Sequence, residues 1–112
     1  MKAEAKLMQN KNADVEINQI RARAGLAAIS GATMTDLKRE RRCEFGGEWT
    51  DRHFDLVRWG DAQRVYAQPL HHADGRVIYE ARNFNPQVMH VWPIPPTEIQ
   101  NSKGSLTQNQ GW

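Results

Sequence analysis

The fold of this chain is decided by one stretch, Glu40–Gly60, which reads ERRCEFGGEWTDRHFDLVRWG. Charged and large apolar side chains alternate in it more densely than they do on an ordinary surface helix. Residues 36–64 hold seven Lys or Arg and seven Asp or Glu, so the charges cancel. This balance points to ion pairing within a structural element.

A single helix over this stretch, with about 100° per residue, would place carboxylates beside apolar side chains. Such carboxylates must be paired, because an isolated buried charge costs several kcal/mol. We therefore predict a partly buried ion-pair network, in which Glu48 and Arg52 have the favourable i,i+4 order. The other pairings stay open. The predicted members are Glu40, Arg41, Glu44, Glu48, Arg52, Asp55 and Arg58, and the predicted apolar anchors of the stretch are Trp49, Leu56 and Trp59.

The composition describes one small domain without a nucleic-acid-binding character. The chain has 112 residues, 39% apolar and 25% charged, with a net charge of +2. A chain of this size supports one modest core. No segment is a basic block, so the electrostatic footprint of a nucleic-acid-binding protein is missing. One cysteine, Cys43, excludes an internal disulfide, and no apolar run is long enough to span a membrane.

The first half of the chain predicts helices separated by clear breaks. Good helix formers fill residues 2–9, and a second helix over 13–24 ends at Gly25, so the two form an αα-hairpin. Thr33 or Thr35 can cap a third helix that runs through Glu44 or Phe45. Gly46-Gly47 breaks this helix, and the pattern resumes over residues 48–59 until Gly60. A shorter helix is expected over residues 61–67, before Pro69.

The last 40 or so residues predict irregular, proline-rich structure. A turn at residues 73–76 is followed by a β-prone segment, Val77–Tyr79, which we expect to pair with residues 88–92 in a small hairpin. Prolines force residues 92–96 into extended backbone, so Trp92, Pro93 and Pro95 are predicted as structural anchors. Thr97 is expected to cap one helical turn. Residues 101–112 are polar and need Leu106 and Trp112 to dock in order to be ordered.

Four more specific functions compete with a structural interpretation of these residues. Paired carboxylates are typical of glycosidases, but charges on one helical face are far more often structural pairs. The basic residues within 38–42 could form a nucleic-acid-binding segment, but neighbouring acidic residues offset their charge. The histidines and Cys43 lack metal-ligand spacing, so no metal is predicted. Tryptophans can stack on sugars, but Trp49, Trp59 and Trp92 are interpreted as packing residues, whereas the role of Trp112 is left open. The four histidines are His53, His71, His72 and His90.

Five motifs, in order along the chain, resemble the C-terminal region of the SusD/RagB family of nutrient-uptake outer-membrane lipoproteins. Each motif is weak alone, but their common order is specific. One residue more than the family pattern separates Glu48 from Arg52, and Gln110 stands where proline is common. The matching segments are Ala3–Ala5 with Ile17–Leu26 (INQIRARAGL), Arg39–Phe45 (RERRCEF), Arg52–Gly60 (RHFDLVRWG), Trp92–Ile99 (WPIPPTEI) and Gln108–Trp112 (QNQGW).

The resemblance implies a mainly helical fold with a tetratricopeptide-like αα-hairpin, a long broken helix and an irregular C-terminal region. It also implies a binding protein and not an enzyme, with no cofactor. Family members cap a SusC/RagA-like TonB-dependent transporter on the outer face of the outer membrane and deliver glycans or peptides to it. The family's ligand contacts lie largely outside these motifs, so the resemblance identifies no ligand-binding residue in this chain.

The length and the start of the chain add one further expectation. Family members are several times longer and carry a lipidated N-terminal cysteine. This chain begins directly in helix-forming sequence. We therefore expect residues 1–112 to be the C-terminal part of a SusD/RagB-like domain, with the anchor outside the chain. The alternative function, from another class, is a small helical protein-interaction module without a transport role.

Overall fold

The protein is mainly helical in a computed structural model that describes residues 1–48 and 52–112. The described residues form two compact units, one within residues 1–50 and one within residues 51–112. The predicted mainly α class, with a small two-stranded antiparallel sheet, is confirmed. The elements in chain order are α1 (Lys2–Met8), α2 (Asp14–Arg23), α3 (Met34–Glu44), α4 (Arg52–Arg58), α5 (Ala62–Tyr66), β1 (Leu70–His71), β2 (Val77–Tyr79) and α6 (Pro96–Asn101).

The predicted αα-hairpin is present as α1 and α2, and each helix ends within one residue of its predicted end. After α1 the chain turns at Asn10, whose φ is +56°, and the Lys11 N–H donates to the Lys6 carbonyl over 2.8 Å. After α2 the turn is at Gly25, with φ +70°, and the Leu26 N–H donates to the Arg21 carbonyl over 2.9 Å. Both turns satisfy carbonyl groups that a helix end leaves free.

The loop between α2 and α3 is held by two side chains of α2. The Asn18 amide exchanges two hydrogen bonds with the backbone of Ile29, of 2.8 and 2.9 Å. The Asp14 carboxylate accepts from the backbone N–H of Ala32 at 2.7 Å and of Gly31 at 3.0 Å. These two backbone donors, Ala32 first, lower the pKa of Asp14, because they favour its charged form. The loop is therefore ordered without an apolar core of its own.

Helix α3 begins at a reciprocal capping box, which resolves the choice between the two threonines. The Thr33 Oγ1 accepts from the Asp36 N–H, and Asp36 accepts in return from the Thr33 N–H at 2.9 Å. Thr33 is thus the N-cap. Helix α3 ends at Glu44, as predicted, and residues 45–47 form the turn that contains the two glycines.

The core of the first unit is small. The three helices pack pairwise on one another. Among the described residues of this unit, the buried apolar side chains are Ala13, Ile17 and Leu37. The Glu4 side chain is buried with them, so charged groups contribute to the packing of this unit.

The second unit is built around α4, α5 and the segment that follows the β-hairpin. Its buried cluster consists of Leu56, Ala62 and Phe84. Three partly buried side chains pack against this cluster, namely Val57, Val65 and Tyr66. The Arg82 N–H donates to the Tyr66 carbonyl over 2.7 Å and ties the segment after β2 to α5. Helix α4 ends before Gly60, which has a φ of +71°. Leu56 is 2% exposed, and its role as an anchor of this stretch stays a prediction.

The helix after the two glycines starts later than predicted. Glu48 lies in a bend, so the expectation that the helix resumes there is wrong, and Trp49–Asp51 lie outside the described residues. In the described chain this helix is α4, which begins at Arg52. The single helical arc proposed for Glu40–Trp59 therefore does not form, because α3 has already ended at Glu44.

The β-hairpin is present, but one of its strands was wrongly predicted. β2 coincides with the predicted Val77–Tyr79 segment, and it pairs antiparallel with β1 across the turn at Gly75. Residues 86–90 are turns instead of a strand. Pro86 follows Asn85, whose side chain accepts from the Gln87 N–H at 3.0 Å, and this arrangement starts a turn.

The proline-rich segment leads into α6 differently from the prediction. Residues 92–95 form neither helix nor strand, and Pro95 has extended dihedral angles of −53° and 135°. Pro96 is already the first residue of α6, a position where proline's fixed φ is favourable. Pro95 is the N-cap, so the prediction that Thr97 caps this helix is wrong. None of the helices in the described residues is long and apolar enough to cross a lipid bilayer.

Replacement of Thr33 should destabilise the first unit. We expect Thr33→Ala to lower the free energy of unfolding by about 1 kcal/mol, because it removes the side chain that caps α3. Thr35→Ala is the matched control, since Thr35 is an exposed threonine inside the first turn of the same helix. Urea unfolding monitored by circular dichroism measures both, and equal stability of the two variants would contradict the capping assignment.

The stability of the first unit should depend on Glu16 at acid pH. Hydrogen bonds from Lys6 and then Lys2 lower the pKa of Glu16 to about 2. Because the folded-state pKa is depressed, this contribution is present above the unfolded value of about 4.3 and is lost as the pH falls toward 2. We expect Glu16→Gln to be less stable than the wild type near neutral pH, with the difference disappearing near pH 2.

Thermal melts across this pH range measure the effect of Glu16. Glu80→Gln is the control, because Glu80 is an exposed carboxylate for which the structure shows no ion pair among the described residues. A stability difference for Glu16→Gln that stayed constant from neutral pH down to pH 2 would rule out this linkage.

Candidate functional site: an exposed aromatic surface

Two of the predicted ion-pair residues on α3 contact α2. Glu40 accepts a hydrogen bond from Arg21 Nη1, and Glu44 accepts one from Arg23 Nη2. The Arg21 and Glu40 side chains are only 13% and 12% exposed, so this pair is largely removed from water. A second arginine also contacts Glu40, because Arg39 Nη2 lies 3.3 Å from Glu40 Oε1. These carboxylates therefore connect two helices.

Sequence reasoning missed the cations of these pairs. The predicted network includes neither Arg21 nor Arg23. They lie 19 and 21 residues from their partners, and no rule of local spacing links positions so far apart. The alternation of arginine and alanine in residues 21–24 is visible in the sequence, but it does not identify the helix that carries the partner carboxylates.

Four of the remaining predicted charged residues contact side chains of their own unit, namely Arg41, Arg52, Asp55 and Arg58. In α4, Asp55 accepts from Arg58 at 2.8 Å. The guanidinium carbons of Arg52 and Arg58 lie 5.9 and 5.0 Å from the ring centre of Trp59. In the first unit, Arg41 lies over the Phe45 ring at 4.9 Å. Glu48 is exposed, and the predicted anchor Trp49 lies outside the described residues.

A small cavity lies between the three helices of the first unit. Its volume is about 200 Å³, and Ile17, Leu37 and Phe45 line its apolar part. Glu16 and Glu40 also line it, and both already bind lysine or arginine side chains of the same unit. The carboxylates of Glu16 and Glu40 are therefore already engaged in ion pairs within the unit.

The described histidines and Cys43 form no metal site. In residues 1–48 and 52–112 no three His, Cys, Asp or Glu side chains are grouped so as to hold an ion. His71 Nδ1 and His90 Nδ1 each lie 3.1 Å from a backbone carbonyl oxygen four residues away along the chain. His72 faces Asp74 at 3.6 Å.

The fourth histidine, His53, is the centre of an aromatic cluster. Its Nδ1 lies 2.8 Å from the Tyr66 hydroxyl, and the two rings stack with centres 5.9 Å apart. Phe54, Phe84 and Trp92 meet the same imidazole edge-on, at 5.5, 6.0 and 6.4 Å between centres. These spacings and angles are those that aromatic pairs prefer. Residues from α4, α5 and the proline-rich segment are thereby brought together.

Two members of this cluster face solvent. Trp92 is 70% exposed and Phe54 is 51% exposed, whereas Phe84 beneath them is buried. We call the group Phe54, His53 and Trp92 the aromatic surface. Trp92 was predicted as a packing anchor, and the structure instead leaves most of its side chain in water. The anchor role of its neighbour Pro93 stays a prediction.

The aromatic surface has the chemistry that recognises a sugar. An aromatic ring carries partial negative charge on its face, which attracts the positively polarised C–H groups on the apolar side of a pyranose. The half-buried His53 lies beside the two exposed rings, and its Nδ1 contacts the Tyr66 hydroxyl. Exposed apolar groups of this kind on a folded surface typically mark a binding site.

A family model describes the whole of this chain. The model of the SusD family matches residues 1–112, and the chain therefore belongs to that family. The family comprises nutrient-binding, outer-membrane-associated lipoproteins that bind substrates and are not enzymes. Its members generally work with SusC-like TonB-dependent transporters. Comparison with curated proteins and with solved structures finds no match.

The aromatic surface and its buried base should respond differently to truncation. Trp92→Ala should change the free energy of unfolding by less than about 0.5 kcal/mol, because the side chain is mostly exposed. Phe84→Ala should cost about 3–5 kcal/mol, because it empties a buried site. Chemical denaturation of both variants measures the contrast, and a large loss for Trp92→Ala would mean that Trp92 is an anchor after all.

Proposed function

We propose that this chain belongs to the substrate-binding component of a TonB-dependent uptake system for glycans. The observation that carries the proposal is the match of the SusD family model over residues 1–112. The five sequence motifs that resemble the family, in the family's order, lie within the matched residues and agree with it. In this function the protein holds an oligosaccharide at the cell surface and passes it to the transporter without chemical change.

The aromatic surface is the part of the chain that we assign to the ligand. The Trp92 and Phe54 side chains are 70% and 51% exposed, and both rings contact His53. Neutral oligosaccharides offer alternating apolar faces and hydroxyl groups, so stacking on rings combined with polar edges is suited to them. A peptide ligand would gain less from two flat rings, because most of its affinity comes from backbone pairing or deep side-chain pockets.

Family membership supports the location and the partner that we propose. We assign the protein to the outer face of the outer membrane, with a lipid anchor on the full-length protein, and a SusC/RagA-like transporter as its partner. The ion pairs between α2 and α3 and the buried cluster around Leu56 then serve to hold the structure, and the protein needs no cofactor.

Loss of the exposed indole should weaken glycan binding. The protein is first screened on an oligosaccharide array, and the best ligand is titrated by calorimetry. We expect Trp92→Ala to raise Kd about tenfold, because stacking removes apolar area worth about 1–2 kcal/mol from water. Trp92→Phe should keep part of the affinity, since it keeps an aromatic face.

Tyr79→Ala is the matched control, because Tyr79 is an exposed aromatic residue on β2, outside the aromatic surface. Equal affinity of Trp92→Ala and the wild type would remove the aromatic surface from the ligand site. Absence of any glycan ligand, together with stable binding of a protein partner that is not a transporter, would favour the alternative of a helical interaction module.

A further inference from the structure

We infer that residues 108–112, the C-terminal segment, position Trp92 for the ligand, and that Gln108 and Asn109 are positioning residues of the glycan site. This inference rests on the proposed function of the aromatic surface. It concerns the backbone on both sides of Trp92, since the indole itself is mostly free of packing contacts.

Proline creates the need for such a support. Pro93, Pro95 and Pro96 have no backbone N–H, so Ile94 carries the only backbone donor in residues 93–96. A segment of this kind cannot join a regular hydrogen-bonded ladder. Its backbone must be satisfied and held in another way.

The side chain of Gln108 supplies what a neighbouring strand would otherwise supply. Its Oε1 accepts from the Ile94 N–H at 2.8 Å, and its Nε2 donates to the Ile94 carbonyl at 2.9 Å. One primary amide thus pairs with both backbone groups of a residue two positions after Trp92. Gln108 Oε1 also accepts from the Asn109 N–H at 2.9 Å, which orients the next side chain.

Asn109 contacts the backbone of Trp92 itself. Its Nδ2 donates to the Trp92 carbonyl oxygen over 2.6 Å. The backbone of Trp92 is therefore restrained directly by the Asn109 hydrogen bond to its carbonyl oxygen. It is also restrained indirectly, because Gln108 binds Ile94 two residues further on. Neither contact uses the indole, so the ring stays exposed while the atoms that carry it are restrained.

Trp112 holds the residues that come before Trp92. Its indole Nε1 lies 3.2 Å from the Val91 carbonyl oxygen and 3.3 Å from that of Val88, and it donates toward both. Gly111 permits this approach, because its φ is +89° and a Cβ there would lie 2.5 Å from Val88 Cγ2. The role of Trp112, open from sequence alone, is thus to dock the chain end.

Restraint of the backbone on both sides has a consequence for binding. A mobile loop that carried Trp92 would lose conformational entropy when the ligand ordered it. A support that exists before binding removes part of that cost. The C-terminal segment should therefore affect affinity through Trp92 and not through contacts of its own with the sugar.

The experiment compares Gln108→Ala with Gln110→Ala in glycan titrations of the folded protein. Gln110 is an exposed glutamine in the same segment, so it is the matched control. We expect Gln108→Ala to raise Kd about three- to tenfold and Gln110→Ala to leave Kd unchanged. Gln108→Glu should lie between wild type and Gln108→Ala, because a carboxylate keeps the acceptor for Ile94 N–H but loses the donor.

A double-mutant cycle separates positioning from a general structural role. In the Trp92→Ala background, Gln108→Ala should cause no further loss of affinity, because its effect passes through the indole. Additive losses would overturn the inference, since they would indicate a role independent of Trp92. Unchanged affinity of Gln108→Ala, with a clear loss for Trp92→Ala, would also overturn it while leaving the proposed function intact.

A second measurement follows the indole directly. With fluorinated tryptophan incorporated, the 19F resonance of Trp92, assigned by its disappearance in Trp92→Phe, should shift and change width in Gln108→Ala but not in Gln110→Ala. An unaltered resonance would contradict the inference. If Trp92→Ala binds glycan as well as the wild type, the proposed site fails, and with it the role of the segment in binding.

Discussion

A shortage of apolar core is the constraint on which the rest of this structure depends. Among the described residues, the buried apolar side chains are only Ala13, Ile17, Leu37, Leu56, Ala62 and Phe84. Burial of so little area leaves a small margin over the conformational entropy of folding. Loops and chain ends must therefore be held by specific polar contacts.

Those contacts share one form, in which a side-chain amide or carboxylate binds the backbone of a distant loop. Asn18 pairs with both backbone groups of Ile29, and Gln108 does the same with Ile94. Such contacts are directional, and each leaves the side chain of the bound residue free. The loop residue is thereby fixed without being buried. At Trp92 this produces an exposed aromatic ring on a restrained backbone, which is a useful combination for a binding protein.

The sequence predicted the local features of the fold well. The caps at Thr33 and Gly25 and the turn at Gly75 follow from residues within four positions of each other. The strand expected at residues 88–92 was wrong for a reason of the same local kind. The β-prone residues there were given more weight than Asn85-Pro86, whose turn-forming chemistry decides the backbone. The helical phase carried across Gly46-Gly47 was wrong because two glycines end the hydrogen-bonded ladder.

The candidate site was less accessible to sequence reasoning. Trp92 before a proline was interpreted as an anchor, since tryptophan is usually buried and the pattern gives no measure of exposure. The order of motifs was sufficient to indicate the family, because motifs record the residues that a common fold requires. It did not indicate which of those residues face solvent.

By itself, then, the sequence determined the ends of the first three helices to within a residue, the extended backbone at Pro95 and the family to which the chain belongs. Only the tertiary structure decided that Arg21 pairs with Glu40 across 19 residues, and that Gln108 supports Ile94 across 14. The physical reason is the range of the interactions. Capping and turn formation depend on neighbours along the chain, whereas partners and exposure depend on which surfaces meet when a small core is completed.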